Sequence, residues 1–326
     1  MGPIAQRDID SNGLKMRIAE AGQGPLVVLA HGFPESWYSW RHQIAALAAA
    51  GFHAVAPDMR GYGGTDAPEA IEDYTIFHLV GDLVGVLDAL GEARAVVVGH
   101  DWGANVAWHA ALLRPDRFRA VASLSVPFRP RAPRQPTTVM PRTGDAAFYQ
   151  FYFQEPGRAE AELEADPRAS IRDTLLRLSG DVPAIPGSDG FSMVPLQGGL
   201  AARLGEHAAL PLPAWLSEAD LDHYAAAFAR TGFRGGLNWY RNLDRNWALM
   251  RAFQGRRVEV PALFVTGDRD LVYGFPASRE LIENMRRRVP LARDPVVLPG
   301  CGHWTQQERA AEVNAALLDF LRSLPG

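Results

Sequence analysis

A single cysteine, Cys301, stands in the whole chain of 326 residues. No intramolecular disulfide can form, and there is no CxxC pair and no cysteine/histidine cluster of metal-ligand spacing. Neither a metal nor an organic cofactor is expected. Long apolar runs are missing as well: none approaches the roughly 20 residues of a membrane span. The first residues, Met1-Gly2-Pro3-Ile4-Ala5-Gln6, hold no apolar signal core, and position six is not the Ser or Thr that N-myristoylation wants. No membrane anchor is expected, and the cytoplasm is the default compartment. An excess of positive charge is also lacking, for the net charge is −4. The densest basic run, Arg286-Arg287-Arg288, closes a predicted helix, where cations complement the dipole. Nothing calls for a nucleic-acid partner. What remains is a globular composition, 47% hydrophobic and 21% charged, that can bury one large core. The length suits one domain, or one domain carrying an insertion.

Along the chain, residues 6–20 read as strand, Asn12-Gly13 turn and strand, with Leu14, Met16 and Ile18 alternating. Leu26 to Ala30 is a continuous apolar run, as a strand buried on both faces requires. Helical spacing follows from Trp37 to Ala50, with Gly51 to stop it, then a short strand from His53 to Pro57. Thr75 to Leu90 is helical, Ala95 to Val98 a strand, and Arg119 to Val126 another. Such alternation predicts a parallel α/β sheet. The texture changes after Phe128. Residues 129–142 are rich in Pro and Arg, and 145–246 show no buried-strand pattern, only helices joined by Pro/Gly segments. Alternation resumes with a strand at 262–266, a helix at 276–289, a strand at 296–298 and a helix near 307–323. The expectation is a core domain of residues 1–128 and 246–326, interrupted by a helical cap of 129–245.

Gly99-His100-Asp101-Trp102-Gly103 sits where a strand turns sharply into a helix. The form G-x-D-x-G is the frame of a nucleophile elbow with aspartate at its centre. The flanking glycines fit a turn too crowded for a Cβ, and Asp101 is the candidate nucleophile. In parallel sheets ligands sit at the carboxyl ends of the strands, and His31, Asp58 and Asp101 all lie at such ends. The partners of an elbow nucleophile follow in the order acid, histidine. His303, in Gly300-Cys301-Gly302-His303-Trp304 just past the last strand, is the candidate base. The acid is Asp268 or Asp270, both just beyond the strand at 262–266. Asp270 lies further past the strand end and can turn toward His303, leaving Asp268 to cap the turn. Backbone N–H groups of Trp102 and Phe33 are the candidate oxyanion donors. Gly32 permits close approach, and Pro34 fixes the turn through an X–Pro bond that admits the cis form.

A carboxylate is ionised at neutral pH without help. Its attack on carbon makes an ester whose carbonyl belongs to the enzyme. The histidine is then free to activate water for the second step. Alkyl halides and epoxides are the substrates that such an SN2 step admits. A halide leaving group wants N–H donors, whereas an epoxide oxygen wants an acid such as tyrosine.

These motifs resemble those of soluble-type epoxide hydrolases of the α/β-hydrolase superfamily. His31-Gly32-Phe33-Pro34 is similar to the family's HGxP, and Gly99 to Gly103 to its elbow. Phe151-Tyr152-Phe153-Gln154-Glu155-Pro156-Gly157 resembles the segment with the first epoxide-activating tyrosine, which would be Tyr152. Phe233 to Asn242 resembles the segment with the second, which would be Tyr240. Gly267 to Tyr273 and Gly302-His303-Trp304 resemble the acid and base segments and favour Asp270. Tyr149 and Tyr224 are read as core packing. The resemblance implies an α/β-hydrolase core, a mostly parallel eight-stranded sheet with helices on both faces, carrying the inserted cap. It implies catalytic residues Asp101, His303, Asp270, Tyr152 and Tyr240. The pocket would be formed by Phe33, Pro34, Trp102, Phe128, Tyr152, Trp239, Tyr240 and Trp304. Phe148, Phe151, Phe191, Met193 and Trp215 in the cap suggest an apolar tunnel. The partners are a small apolar epoxide and water, without cofactor, and the reading leaves a homodimer open. The alternatives are a haloalkane dehalogenase, which would share Asp101, His303 and Asp270, and a non-catalytic receptor on the same fold.

Overall fold

Three segments are buried at every position: β3 (Leu26–Ala30), β5 (Ala95–His100) and β9 (Ala262–Gly267). That pattern needs cover on both faces, which a parallel sheet between two layers of helices supplies. The computed structural model describes residues 3–183 and 192–325. Its main sheet has eight strands in the order β1-β2-β4-β3-β5-β6-β9-β10. The others are β1 (Ala5–Ser11), β2 (Leu14–Ala21), β4 (His53–Pro57), β6 (Phe118–Leu124) and β10 (Val296–Leu298). β1 and β2 form the expected hairpin, and β2 runs antiparallel to β4; every other pairing is parallel.

The helices follow from local chemistry. α1 (Arg41–Ala49) leads to β4. α2 (Ile76–Leu90) is capped by the Thr75 hydroxyl, which accepts from His78 N–H, and is ended by Gly91 in the left-handed region at φ 71°. α3 (Trp102–Leu113) starts at the elbow. Two apolar cores lie on opposite faces of the sheet, one gathering Val28, Val97 and Val121, the other Val27, Val96 and Val98. Strand alternation assigns them.

Between β6 and β9 the chain leaves the sheet. It forms α4 (Pro136–Val139), β7 (Ala146–Phe148), α5 (Tyr149–Tyr152), α6 (Arg158–Leu163) and α7 (Pro167–Arg177). After β8 (Met193–Pro195) come α8 (Glu218–Thr231), α9 (Arg234–Arg241) and α10 (Leu243–Leu249). β7 and β8 pair antiparallel, a small sheet that the sequence pattern does not announce. Three residues are too few to set up a period-two signal. α10 also runs across the expected boundary at 245. Its Asp244 accepts from the Thr137 N–H of α4, and Trp247 C=O accepts from Arg131, so the outgoing and returning segments are tied side by side. Four helices, α11 (Leu271–Gly274), α12 (Pro276–Glu283), α13 (Thr305–Glu308) and α14 (Ala310–Arg322), complete the chain. No helix among the described residues is long and apolar enough to cross a membrane.

Candidate active site

The strand order reverses between β3 and β5: after β3 the chain crosses to β4 on one side, after β5 to β6 on the other. Loops leaving two neighbouring strands in opposite directions open a crevice at their carboxyl ends. Asp101 stands there at the end of β5, with φ 52° and ψ −119°. Such a conformation costs a non-glycine residue on the order of 1–3 kcal/mol. The neighbours enforce it. A Cβ on Gly99 would fall onto the Gly103 carbonyl, and one on Gly103 onto the Ala30 carbonyl. The expected reason for both glycines holds in its literal form: the elbow packs backbone against backbone.

The loop after β3 meets the elbow. Phe33 N–H donates to Asp101 Oδ1 at 2.9 Å, across a cis Phe33–Pro34 bond. A Cβ on Gly32 would strike the Asp101 carboxylate, so glycine is what lets this loop close. Trp102 N–H has no hydrogen bond to Asp101 in the described structure; it is one of the opening amides of α3, which lack an intrahelical acceptor.

On the other side, His303 Nε2 lies 3.6 Å from Asp101 Oδ2, and His303 Nδ1 lies 3.0 Å from Asp270 Oδ1. Asp270 also accepts from Val272 N–H at 2.8 Å, which fixes the carboxylate at the start of α11. Asp268 turns elsewhere and accepts from Gly300 N–H at 2.8 Å, tying the two strand ends together. The acid facing His303 is therefore Asp270. Burial pulls the His303 pKa down, but the Asp270 charge, the close approach of Asp101 and the hydrogen bond to Asp270 carry it well above its ordinary value. Burial pushes the Asp101 carboxyl up; the nearby His303, with help from His100 and Phe33 N–H, holds it below the usual carboxylate range. Both shifts favour an imidazolium beside a carboxylate at rest.

Two carboxylates invisible to the sequence reading hold this arrangement. Glu35, fully buried, accepts from Gly32 N–H at 2.9 Å and Gln306 at 2.8 Å, and meets His100 Nδ1 at 2.7 Å. His100 Nε2 in turn donates to the His303 carbonyl at 2.8 Å. Glu308 accepts from the N–H groups of Gly302 and Trp304, on either side of His303, and from Gly180 N–H. The available signal was a carboxylate three residues after Gly32 and another five after His303, the second within the polar run Thr305-Gln306-Gln307-Glu308-Arg309. Spacing alone does not separate such residues from surface acids.

The lid side requires one correction. Tyr240, on α9, sits over the elbow, its ring 5.1 Å from Trp102 and 5.6 Å from Phe33. Tyr152 does not join it. Its hydroxyl is donated to Glu162, and Arg158 lies 4.3 Å above its ring. The tyrosine beside Tyr240 is Tyr149, with ring centroids 6.0 Å apart. Burial, followed by the Asp101 charge, pushes the Tyr149 pKa up, and burial, Asp101 and Tyr149 do the same to Tyr240. Tyr152 feels burial and Glu162 instead, which push it up to about 12. The physical reason is the single turn of α5. Tyr149 and Tyr152 are three apart and share one helix side, but Glu162 stands beside the second and takes its hydroxyl.

The expected pocket thins in the same way. Phe33 and Trp102 keep some accessible surface, at 8% and 6%. Pro34 is buried in the β3 loop, and Phe128 packs on Trp108 at 5.8 Å. Trp239 and Trp304 have none. Their indole N–H groups are spent on the carbonyls of Arg60 and Leu175, so neither offers that N–H as a donor to a ligand. In the expected tunnel, Phe148 packs on Tyr149 at 4.7 Å and Phe275 at 6.2 Å, while Phe151 lies under Arg142 and Trp215 binds Ser179. Met193 opens β8, and Phe191 falls outside the described residues.

Residues 25–176 match the alpha/beta hydrolase fold family. Epoxide hydrolase A of Mycobacterium tuberculosis is 51% identical, covering 99% of this chain and 99% of its own length. The chain belongs to the epoxide hydrolases of the α/β-hydrolase superfamily. Epoxide hydrolase 3 of Siraitia grosvenorii is 44% identical over 98% of the chain and 99% of its own. The crystal structure of epoxide hydrolase A from Mycobacterium thermoresistibile superposes with a TM-score of 0.91 at 50% identity, covering 99% of each chain. The epoxide hydrolase described here thus matches these epoxide hydrolases over nearly its whole length. Among its described residues no group of acids, histidines and cysteines could hold a metal ion.

Proposed function

We propose that this epoxide hydrolase works through a covalent ester on Asp101. The observation that carries the reading is the position of one carboxylate. Oδ1 is held by Phe33 N–H at 2.9 Å, and Oδ2 faces His303 at 3.6 Å, with Tyr149 and Tyr240 near enough to feel the Asp101 charge. Oδ2 attacks a ring carbon, and the carbon–oxygen bond of the epoxide breaks. The ring oxygen leaves as an alkoxide and takes a proton from Tyr149 or Tyr240. Both phenols stay protonated at neutral pH because burial and the Asp101 charge disfavour the phenolate. That charge disappears as the ester forms, so the phenols become more acidic as the alkoxide builds up. Residues 129–245 act as the cap that presents them, and the apolar rings of Phe33, Trp102 and Phe148 favour an apolar epoxide.

In the second step His303 first gives up its proton, which restores the phenol that ring opening left as a phenolate, and then, oriented by Asp270, removes a proton from water. The hydroxide adds to the Asp101 carbonyl, and the oxyanion grows on Oδ1, against Phe33 N–H and with the Trp102 amide as second donor. Collapse releases a vicinal diol. Esterification also removes one of the two carboxylates that keep His303 protonated. The base pKa in the ester state should therefore lie below that of His303 in the resting enzyme. Single-turnover hydrolysis rates across pH, set beside a nuclear magnetic resonance titration of the resting His303, check this. Equal or higher values in the ester state would contradict it.

The test of the lid chemistry is the alkylation rate in rapid-quench experiments. Tyr149→Phe and Tyr240→Phe should each slow it, and the double variant should lose a factor on the order of 10²–10⁴. Parental alkylation in the double variant would remove the phenols from the mechanism.

A further inference from the structure

We propose that Tyr152 is a positioning residue for Tyr149: its hydroxyl, hydrogen-bonded to Glu162, fixes the rotation of the single helical turn that carries both tyrosines. The inference rests on the reading of Tyr149 as a donor to the epoxide oxygen.

α5 has four residues and no side-chain cap at its start, where Phe148 precedes it in extended conformation. One turn has no stability of its own, so its orientation is imposed from outside. The two ends are tied at backbone atoms, one by a main-chain bond and one by the Gln154 side-chain amide. Tyr149 N–H donates to Ser192 C=O at 2.9 Å, and Gln154 bridges the Gln150 and Tyr240 carbonyls at 2.7 and 2.9 Å. These bonds hold the ends of the turn and leave its roll about the axis to side chains. Tyr152 supplies that restraint. Its ring is buried, Arg158 covers one face, and Glu162 receives the hydroxyl.

Glu162 is a fixed acceptor. Its carboxylate also takes the N–H groups of Leu200 and Ala201, so it cannot follow a moving phenol. Gly199 completes the fit, because a Cβ there would strike both the Tyr152 hydroxyl and the Glu162 carboxylate. Tyr240 has a separate mount. Its helix α9 is anchored to the core through Trp239 to the Arg60 carbonyl and Asn242 to the Ile71 carbonyl. The two segments are still joined, Gln154 donating to the Tyr240 carbonyl and Arg241 to the Phe153 carbonyl at 3.1 Å, but the Tyr152–Glu162 bond lies on the α5 side alone, so the latch acts first on Tyr149.

The experiment is Tyr152→Phe, which removes one oxygen and keeps the ring, followed in rapid-quench single turnovers with Tyr149→Phe in parallel. The alkylation rate of Tyr152→Phe should fall by between about tenfold and 10²-fold, the range that a small misplacement of a reacting group costs. Hydrolysis of the ester should stay at its parental rate. Glu162→Leu, which also leaves the Leu200 and Ala201 amides without their acceptor, should lose at least as much alkylation, and the double variant should be no slower than Glu162→Leu, since the Tyr152–Glu162 bond is already absent there. Parental alkylation in Tyr152→Phe overturns the latch, as does an equal fall in both steps, which would mark general loosening. A large loss in Tyr149→Phe with none in Tyr152→Phe removes the latch alone. Parental alkylation in Tyr149→Phe removes the reading of Tyr149, and the latch with it.

Discussion

Asp101→Ala should bring diol formation down to the uncatalysed background, a loss on the order of 10⁶-fold, as when an enzyme loses its nucleophile. The size of the effect follows from the site. No other carboxylate can take over: Asp270 accepts from Val272 N–H behind His303, and Glu35 is enclosed by Gly32, His100 and Gln306. The fold should survive. Alanine relieves one buried charge, though it keeps the positive φ that the elbow imposes. A melting temperature close to the parent, with no diol from an epoxide panel, is the expected pair of results. Residual turnover within about tenfold of the parent would mean that water attacks the epoxide directly. Halide release from a haloalkane panel, measured on the parent, separates the rival reading that shares Asp101, Asp270 and His303.

His303→Gln should separate the two steps. Attack by Asp101 needs no base, because the carboxylate is already ionised. Phe33 N–H still holds Oδ1 in the variant, although the His303 contribution to keeping the carboxyl acidic is lost. Alkylation should therefore continue, somewhat slower. Water activation should not, and ester hydrolysis should slow by a factor on the order of 10²–10⁴. The adduct then accumulates. Its mass gain should equal the whole epoxide, since ring opening expels nothing, and peptide mapping should place it on Asp101. Normal turnover without adduct would rule out His303 as the base of a second step.

Most of the sheet was legible because its strands are buried on both faces. Leu26–Ala30 and His53–Pro57 were bounded correctly from apolar runs alone. The elbow was legible because backbone crowding leaves glycines as a written trace at 99 and 103. The choice between Asp268 and Asp270 could be argued, since distance past the strand end has a geometric meaning. The choice between Tyr149 and Tyr152 could not. Both lie in one aromatic run on one helical turn, and what separates them is Glu162, ten residues later, arriving through α6. Trp239 and Trp304 were assigned to the pocket for a related reason. Neighbours in sequence of Tyr240 and His303, they are fully buried and donate to backbone carbonyls that no local pattern reveals. The core speaks through burial patterns, whereas the lid depends on long-range hydrogen bonds that leave no trace in local sequence.

The most direct test of the central claim, a covalent ester hydrolysed at the Asp101 carbonyl, is a single turnover in H₂¹⁸O with enzyme in excess over epoxide. Both diol oxygens should be ¹⁶O, one from the epoxide and one from Asp101, and the ¹⁸O should appear in the peptide that contains Asp101. Diol carrying ¹⁸O from the first turnover, with an unlabelled Asp101 peptide, would contradict the account.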